Sequence, residues 1–295
     1  GFIQLRERDP EPYRRVTGGP VTDPSGGDLM RPLDGVRVVD AATILAGPFA
    51  ASVLGEFGAD VIKVEQPTVG DPMRRLGTVG PDGDTWWWLS DTRNKESVEL
   101  DLRSSEGAES FRSMVDRADV LVENFRTGTM ERWGLGFESL RERNPRLIQL
   151  SVSGYGRTGP LATTAGVARI AESFTGMSHL TGEVDGPPIL SGSSGLADYL
   201  AGLYGALGVL LAIRSREATG RGQLVDIALY DGIARILDEL VPVYAATGLG
   251  RERMGPETHR SVPHSNYRTN DGRWLTIACT NDRMFDGLAE DFAAI

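Results

Sequence analysis

The sequence predicts an α/β protein with a largely parallel sheet, and three observations carry that expectation. Apolar runs of strand length recur between residues 36 and 152, and helical segments alternate with them. A 295-residue chain that is 40% hydrophobic and 24% charged also has the material for a sizeable core.

In chain order, residues 1–31 are rich in Pro, Gly and charge without periodicity, which predicts a loosely ordered extension. Order is expected from Leu33. VRVVD (36–40) reads as a buried strand, GPFAASVLGEFG (47–58) as a helix and DVIKVE (60–65) as a second strand. SVELD (97–101), a helix from about Ser104 to Arg117, DVLVE (119–123) and RLIQLSV (146–152) continue the alternation. Ligands of such sheets lie beyond the carboxyl ends of the strands. The segments to inspect are therefore Ala41–Pro48, Glu65–Arg75 and Asn124–Arg132.

From Gly166 the pattern turns helical, over 167–178, 196–214 and 231–247, with one strand at QLVDIAL (223–229). A polar stretch (251–273) precedes a strand, WLTIACT (274–280). MFDGLAEDFAAI then opens a helix, which predicts further chain downstream. These readings divide the chain into 1–31, a large domain over 32–230, and a linker helix with the start of a smaller domain over 231–295.

A formal charge of −10 argues against a nucleic-acid binder, which needs surplus Lys and Arg. Cys279 is the only cysteine, so a reducing compartment is expected. The first residues carry no signal-peptide pattern, and a cytoplasmic protein is the reading. Residues 196–213 approach the length of a membrane span, but their glycines and Asp198 fit a buried core helix better.

An NAD site is suggested by Glu65, about 25 residues after Asp40, but AATILAGP lacks the fingerprint glycines. The histidines His179, His259 and His264 show no metal-ligand spacing; HRSVPH (259–264) reads as a solvated loop, and no metal is expected. SGSSG (191–195) lacks the context of a serine nucleophile. The tryptophans at 86–88 read as packing, and RNK (93–95) as either a phosphate contact or a solvated turn.

Asp198 supports two readings. With Ser193, Ser194 or Gly195 as cap, it falls in the first turn of the long helix, where the helix dipole favours an acid. Gly202, Gly205 and Gly208 leave one side of that helix bare, open to close approach of backbone or ligand. A partly desolvated carboxylate held ionised by a helix N-terminus suits a covalent nucleophile.

Across the chain, PLDGVRVVD (32–40), LAGPFAASVLGEFGADVIKVEQP (45–67), GDPMR (70–74) and RNKESVELDL (93–102) occur in order. ADVLVENFRTGTMERWGLGFESLRERNPRLIQLSVSGYGRTGP (118–160), TGEVDGPPILSGSSGLADYLAGLYGALGVLLAI (181–213) and TGRGQLVDIALYD (219–231) follow. In this set the chain resembles the family III CoA-transferases, the group containing formyl-CoA transferase, carnitine CoA-transferase and α-methylacyl-CoA racemase. The resemblance implies a Rossmann-like large domain, a smaller second domain, here incomplete, and an interlocked homodimer. It implies that acyl-CoA and a carboxylic acid are the substrates, with no tightly bound cofactor and no membrane partner. Asp198 becomes the nucleophile that carries the acyl group and then CoA, and the bare helix face a wall that excludes water.

By position, the resemblance also implies CoA contacts at Ile44, Leu100, Asn124 and Phe125, and a basic contact to its phosphates at Arg132. Arg74, Arg75 and Lys95 are further candidate phosphate partners. Two departures stand out. The racemase branch places an acid/base histidine where this chain has Val167, and many members carry an acid at Ala168. An acyl-CoA racemase or isomerase and a catalytically silent CoA-binding protein are the alternatives.

Overall fold

A computed structural model describes residues 30–192, 195–258 and 260–293. Residues 1–29, most of the expected extension, lie outside it, as do Ser193, Ser194 and His259. The first elements are β1 (Arg37–Asp40), α1 (Ala46–Glu56), β2 (Asp60–Glu65), α2 (Trp86–Asp91), β3 (Lys95–Glu99), α3 (Ser105–Val115) and β4 (Val120–Glu123). Next come α4 (Thr129–Arg132), α5 (Phe137–Arg143), β5 (Ile148–Ser153), α6 (Ala168–Phe174), α7 (Met177–Leu180), α8 (Leu196–Thr219) and β6 (Leu224–Ala228). The last are α9 (Leu229–Ile236), α10 (Leu240–Thr247), β7 (His264–Arg268), β8 (Trp274–Ala278) and α11 (Asp282–Ala293).

One compact unit takes the chain up to Ala171 and resumes over Gly195–Ile236. Its six strands are all parallel, in the order β3-β2-β1-β4-β5-β6. That is the doubly wound order, whose switch point lies between β1 and β4. The central strands are covered on both faces, which is why they read as continuous apolar runs. On one face Val39, Leu121 and Leu147 pack with Phe111 and Val115 of α3 and Leu140 of α5.

The other face is closed by α1 and α8, and here the glycines of α8 have their use. A Cβ at Gly202 would lie 2.8 Å from the Ala46 carbonyl and from the Phe49 ring. One at Gly205 would strike Leu150 of β5, and one at Gly208 would strike Val225 of β6. The bare stripe is therefore the packing face of a core helix, and these three glycines do not line a ligand pocket. Gly202→Ala is expected to lower stability by about 1–3 kcal/mol in urea unfolding, because overpacking against a backbone carbonyl outweighs alanine's better helix propensity.

The sheet's start was legible within a residue or two; β3 begins two residues before SVELD. The short helices α2, α4 and α5 carry too little periodicity to be read in advance. α2 is nucleated by Thr85, whose hydroxyl accepts the Trp88 N–H at 3.1 Å.

A second unit comprises the segment beginning at Glu172 and the chain from Leu237 on. The division thus falls after Ile236 rather than at 230, and the segment following Ala171 leaves the large unit. The helix expected over 231–247 is two, α9 and α10, interrupted where Asp238 adopts φ 65°. Inside the polar stretch, HSNYR forms β7 and pairs antiparallel with β8, His264 opposite Ala278. Glu172 is buried, and one of its oxygens accepts the Ser191 hydroxyl at 2.6 Å and its N–H at 3.2 Å.

Candidate functional site

The switch point is built around the five residues, 41–45, that join β1 to α1. Asp40 ends β1, and its carboxylate accepts the Ala42 N–H at 3.1 Å. Asn124, the first residue past β4, brackets Thr43: its Oδ1 accepts the Thr43 N–H and its Nδ2 donates to the Thr43 carbonyl, both at 2.7 Å. The next residue, Ile44, sits at φ 66° with its side chain 43% exposed. For a β-branched residue that conformation is an outlier costing on the order of 1–3 kcal/mol. Its N–H is held by both oxygens of Asp71, at 3.1 and 3.2 Å. Gly47 closes the turn, since a Cβ there would overlap Ala42 Cβ at 2.4 Å.

Beneath the turn lies a buried lattice of charge. The Lys63 ammonium reaches Asp71 at 3.1 Å and Asp40 at 3.7 Å and donates to the Ala42 carbonyl. Lys95 reaches Asp40 at 2.9 Å and the Pro48 carbonyl at 2.6 Å. Burial pushes the Lys95 amine down, against the pull of Asp40. Glu65 accepts Arg74 in a fork at 2.7 and 2.6 Å, the Asp71 N–H at 2.8 Å and the Ser97 hydroxyl. Arg74 also pairs with Asp84 at 2.8 Å and stacks on Trp88 at 4.0 Å.

Burial pushes the Glu65 carboxyl up, but the Arg74 guanidinium, the Ser97 hydroxyl and the Asp71 N–H outweigh it and hold the group at about 2. The folded value lies below the ordinary 4.5, so Glu65 contributes its full stabilisation above about pH 4.5 and loses it as the pH falls toward about 2. Urea unfolding between neutral and acid pH should show a loss on the order of 3 kcal/mol in that window, absent in Glu65→Gln.

Asp198 occupies the first turn of α8 and is half-buried. Gly195 leaves room for it: a Cβ at 195 would lie 2.9 Å from Asp198 Oδ2 and 2.9 Å from Leu45 of the switch-point turn. Its neighbour Tyr199 ties that turn of α8 to α2. The Tyr199 hydroxyl donates to Asp91 Oδ2 at 2.9 Å, and Trp87 Nε1 donates to the same oxygen at 2.9 Å and to the tyrosine hydroxyl at 3.0 Å. The Tyr199 ring meets Phe49 edge-on at 4.8 Å. Burial, with the charges of Asp91 and Asp198, pushes the Tyr199 hydroxyl up, so it stays a neutral donor.

Of the residues expected to contact ligand, Ile44, Asn124 and Phe125 are all found at the β1–β4 switch point. Asn124, however, spends its amide on Thr43. The Phe125 N–H is accepted by Glu123 at 2.8 Å, and its ring packs edge-on to Trp133 at 5.1 Å. Leu100 follows β3, donates its N–H to the Glu65 carbonyl at 2.9 Å and packs half-buried on the core. Arg132 ends α4 with its side chain exposed, one guanidinium nitrogen donating to Thr129 at 2.9 Å.

The three further cations separate. Arg75 is exposed, donating to the Val69 carbonyl at 2.5 Å. Arg74 and Lys95 each pair with buried carboxylates, Glu65 and Asp84 for the first and Asp40 for the second. Glu65, the acid weighed for a ribose contact, is thus a partner of Arg74. Trp88 packs with Leu45 and Met73, Trp87 is partly buried, and Trp86 is exposed.

The sequence reading missed Lys63, Asp71 and Glu123. The first had a signal, a lysine inside an otherwise apolar strand. Glu123 ends β4 fully buried; burial pushes its carboxyl up, against the Ser151 hydroxyl, the Phe125 N–H and Arg157. Among the described residues no group of His, Cys, Asp and Glu has metal-binding geometry. His179 pairs with Glu252 at 3.0 Å, and His264 lies 3.3 Å from Ser261 Oγ.

Comparison with known proteins identifies the family. The sequence pattern of CoA-transferase family III matches residues 33–294. The chain is 51% identical over 272 residues to the succinyl-CoA–L-malate CoA-transferase alpha subunit of Chloroflexus aurantiacus, covering 92% of this chain and 64% of that protein. It is 52% identical over 265 residues to the beta subunit, covering 90% and 65%. It therefore spans slightly less than two-thirds of the length of either relative. A crystal structure of a CAIB/BAIF family protein from Brucella suis superposes with a TM-score of 0.82 at 38% identity, covering 90% of this chain and 70% of that one. The chain belongs to CoA-transferase family III.

Proposed function

We propose that the protein moves CoA from an acyl-CoA donor to a carboxylic acid acceptor, with Asp198 as the nucleophile. The observation that supports this best is the half-buried carboxylate in the first turn of α8, beside a glycine that leaves its face open. Asp198 attacks the donor thioester carbonyl; a C–O bond forms, the C–S bond breaks, and CoA leaves as thiolate. The thiolate attacks the aspartyl carbonyl of the mixed anhydride, releasing the donor acid and leaving CoA as a thioester on Asp198. The acceptor carboxylate displaces CoA to form a second anhydride. A last thiolate attack on its acyl carbonyl gives the new acyl-CoA and restores the carboxylate. Each step exchanges one activated acyl group for another, so the cycle draws on no ATP or redox cofactor. The protein's task is to place the thiolate and exclude water.

CoA would lie at the switch point against Ile44, Leu100 and Phe125, with Asn124 holding the turn and Arg132 and Arg75 meeting its phosphates. Succinyl-CoA and L-malate, named for both relatives, are the first donor and acceptor to test. Incubation with succinyl-CoA followed by hydroxylamine or borohydride should convert Asp198 to a hydroxamate or to homoserine, read by peptide mass spectrometry. CoA binding with neither such trapping nor turnover across a panel of acids would instead mark a silent binding protein, a reading that Ala168 at the start of α6 keeps in view. Deuterium wash-in at the acyl α-carbon without acceptor acid would mark a racemase, against which Val167 speaks.

The exposed leucines Leu203, Leu207, Leu210 and Leu211 share one side of α8 and suit burial in an interlocked pair of chains. Light scattering should give a dimer, and Leu207→Glu should weaken it. The single cysteine, buried Cys279, accords with a reducing, cytoplasmic setting.

A further inference from the structure

The turn at the switch point is held in an unusual way. From the Ala42 N–H to the Ile44 N–H, every main-chain donor and acceptor is met by a side chain: Asp40, Lys63, Asn124 twice, and Asp71. A glycine at position 44 would adopt φ 66° freely. The chain carries isoleucine instead, with a buried carboxylate to hold it there. That carboxylate is itself fixed, since Asp71 accepts the Met73 N–H at 2.8 Å, pairs with Lys63 at 3.1 Å and donates its own N–H to Glu65 at 2.8 Å.

We infer that Asp71 is a positioning residue for the ligand site: it locks Ile44 in the left-handed conformation and so presents the exposed isoleucine at the β1–β4 crevice. The inference rests on the reading of this crevice as the CoA site. With Asp71 in place, the turn is paid for before ligand arrives, and binding draws no energy to order it. Without it, Ile44 relaxes to negative φ, and the competent turn becomes a minor conformer. Apparent affinity falls by the fraction that remains competent.

Asp71→Asn keeps the shape but sets an amide donor among the Lys63 ammonium and the N–H groups of Ile44 and Met73. CoA itself is the calorimetric probe. In the Ile44 background, Asp71→Asn should weaken CoA binding roughly tenfold or more; in the Ile44→Gly background, the same change should cost no more than about twofold, because glycine holds the turn unaided. Crystal structures of the variants read the turn directly, with φ at residue 44 negative in Asp71→Asn and positive in the double variant. Equal losses of affinity in both backgrounds, or a left-handed Ile44 persisting in Asp71→Asn, would overturn the inference. Should the parent protein bind no CoA, the CoA reading fails, and the φ at residue 44 still decides the role of Asp71. If the asparagine variant does not fold, Asp71→Ser gives the same readings.

Discussion

Replacing Asp198 with asparagine or alanine is expected to lower CoA exchange by about 10⁴-fold or more while leaving the fold intact. The two roles open to this residue separate cleanly here. As an acid in the first turn of α8 it contributes about 0.3–1 kcal/mol through the helix dipole. Urea unfolding of Asp198→Asn should therefore shift by no more than that amount. As the proposed nucleophile it would form every covalent intermediate of the cycle. Tyr199, the adjacent residue, stays protonated and points its hydroxyl at Asp91. CoA affinity should change little, since in the proposed mechanism the carboxylate would meet the thioester and not the nucleotide. An Asp198→Ala protein exchanging CoA at the parental rate would remove the proposed mechanism.

Arg74→Ala is expected to cost about 3–5 kcal/mol of stability. Its guanidinium satisfies Glu65 in a fork and Asp84 at 2.8 Å and covers the Trp88 ring. Removal takes the guanidinium from two shielded carboxylates and uncovers an indole. Lysine should not restore the loss, because a point charge cannot reproduce the fork. The companion change Glu65→Gln should recover part of it, since one of the two charges is then gone. Arg75→Ala, one residue on, should leave stability within about 0.5 kcal/mol and lower CoA affinity instead. Urea unfolding and CoA calorimetry on the two alanine variants decide the assignment; reversed outcomes would return Arg74 to the ligand.

Much of the frame was legible because its signals are local. VRVVD, DVIKVE and DVLVE are short apolar runs ending in an acid, and they became β1, β2 and β4 within a residue or two. The terminal acids also had local partners: Asp40 and Glu123 each accept the N–H two residues on, a contact that any strand-to-loop turn of this kind can make. The polar β7 was illegible for the opposite reason. Its pairing with β8 comes from the hairpin partner, and HSNYR carries no apolar alternation to announce it.

The sequence by itself determined the α/β class, the loops that follow the strand ends, and the place of Asp198 at the head of a long helix. All three follow from periodicities of two and 3.6 residues and from residue types near element ends, which need no distant partner. Only the tertiary structure decided which charges pair with each other and which stay at the surface. Arg74 and Arg75 are neighbours in sequence, yet the first meets Glu65 and Asp84, and the second stays exposed. Gly202, Gly205 and Gly208 likewise make one bare stripe on paper; folding fills it with Ala46, Leu150 and Val225. The reason is common to both cases. The energy of a buried charge or a close packing face is set by what lies within a few ångströms, and those neighbours come from segments that meet only when the sheet is assembled.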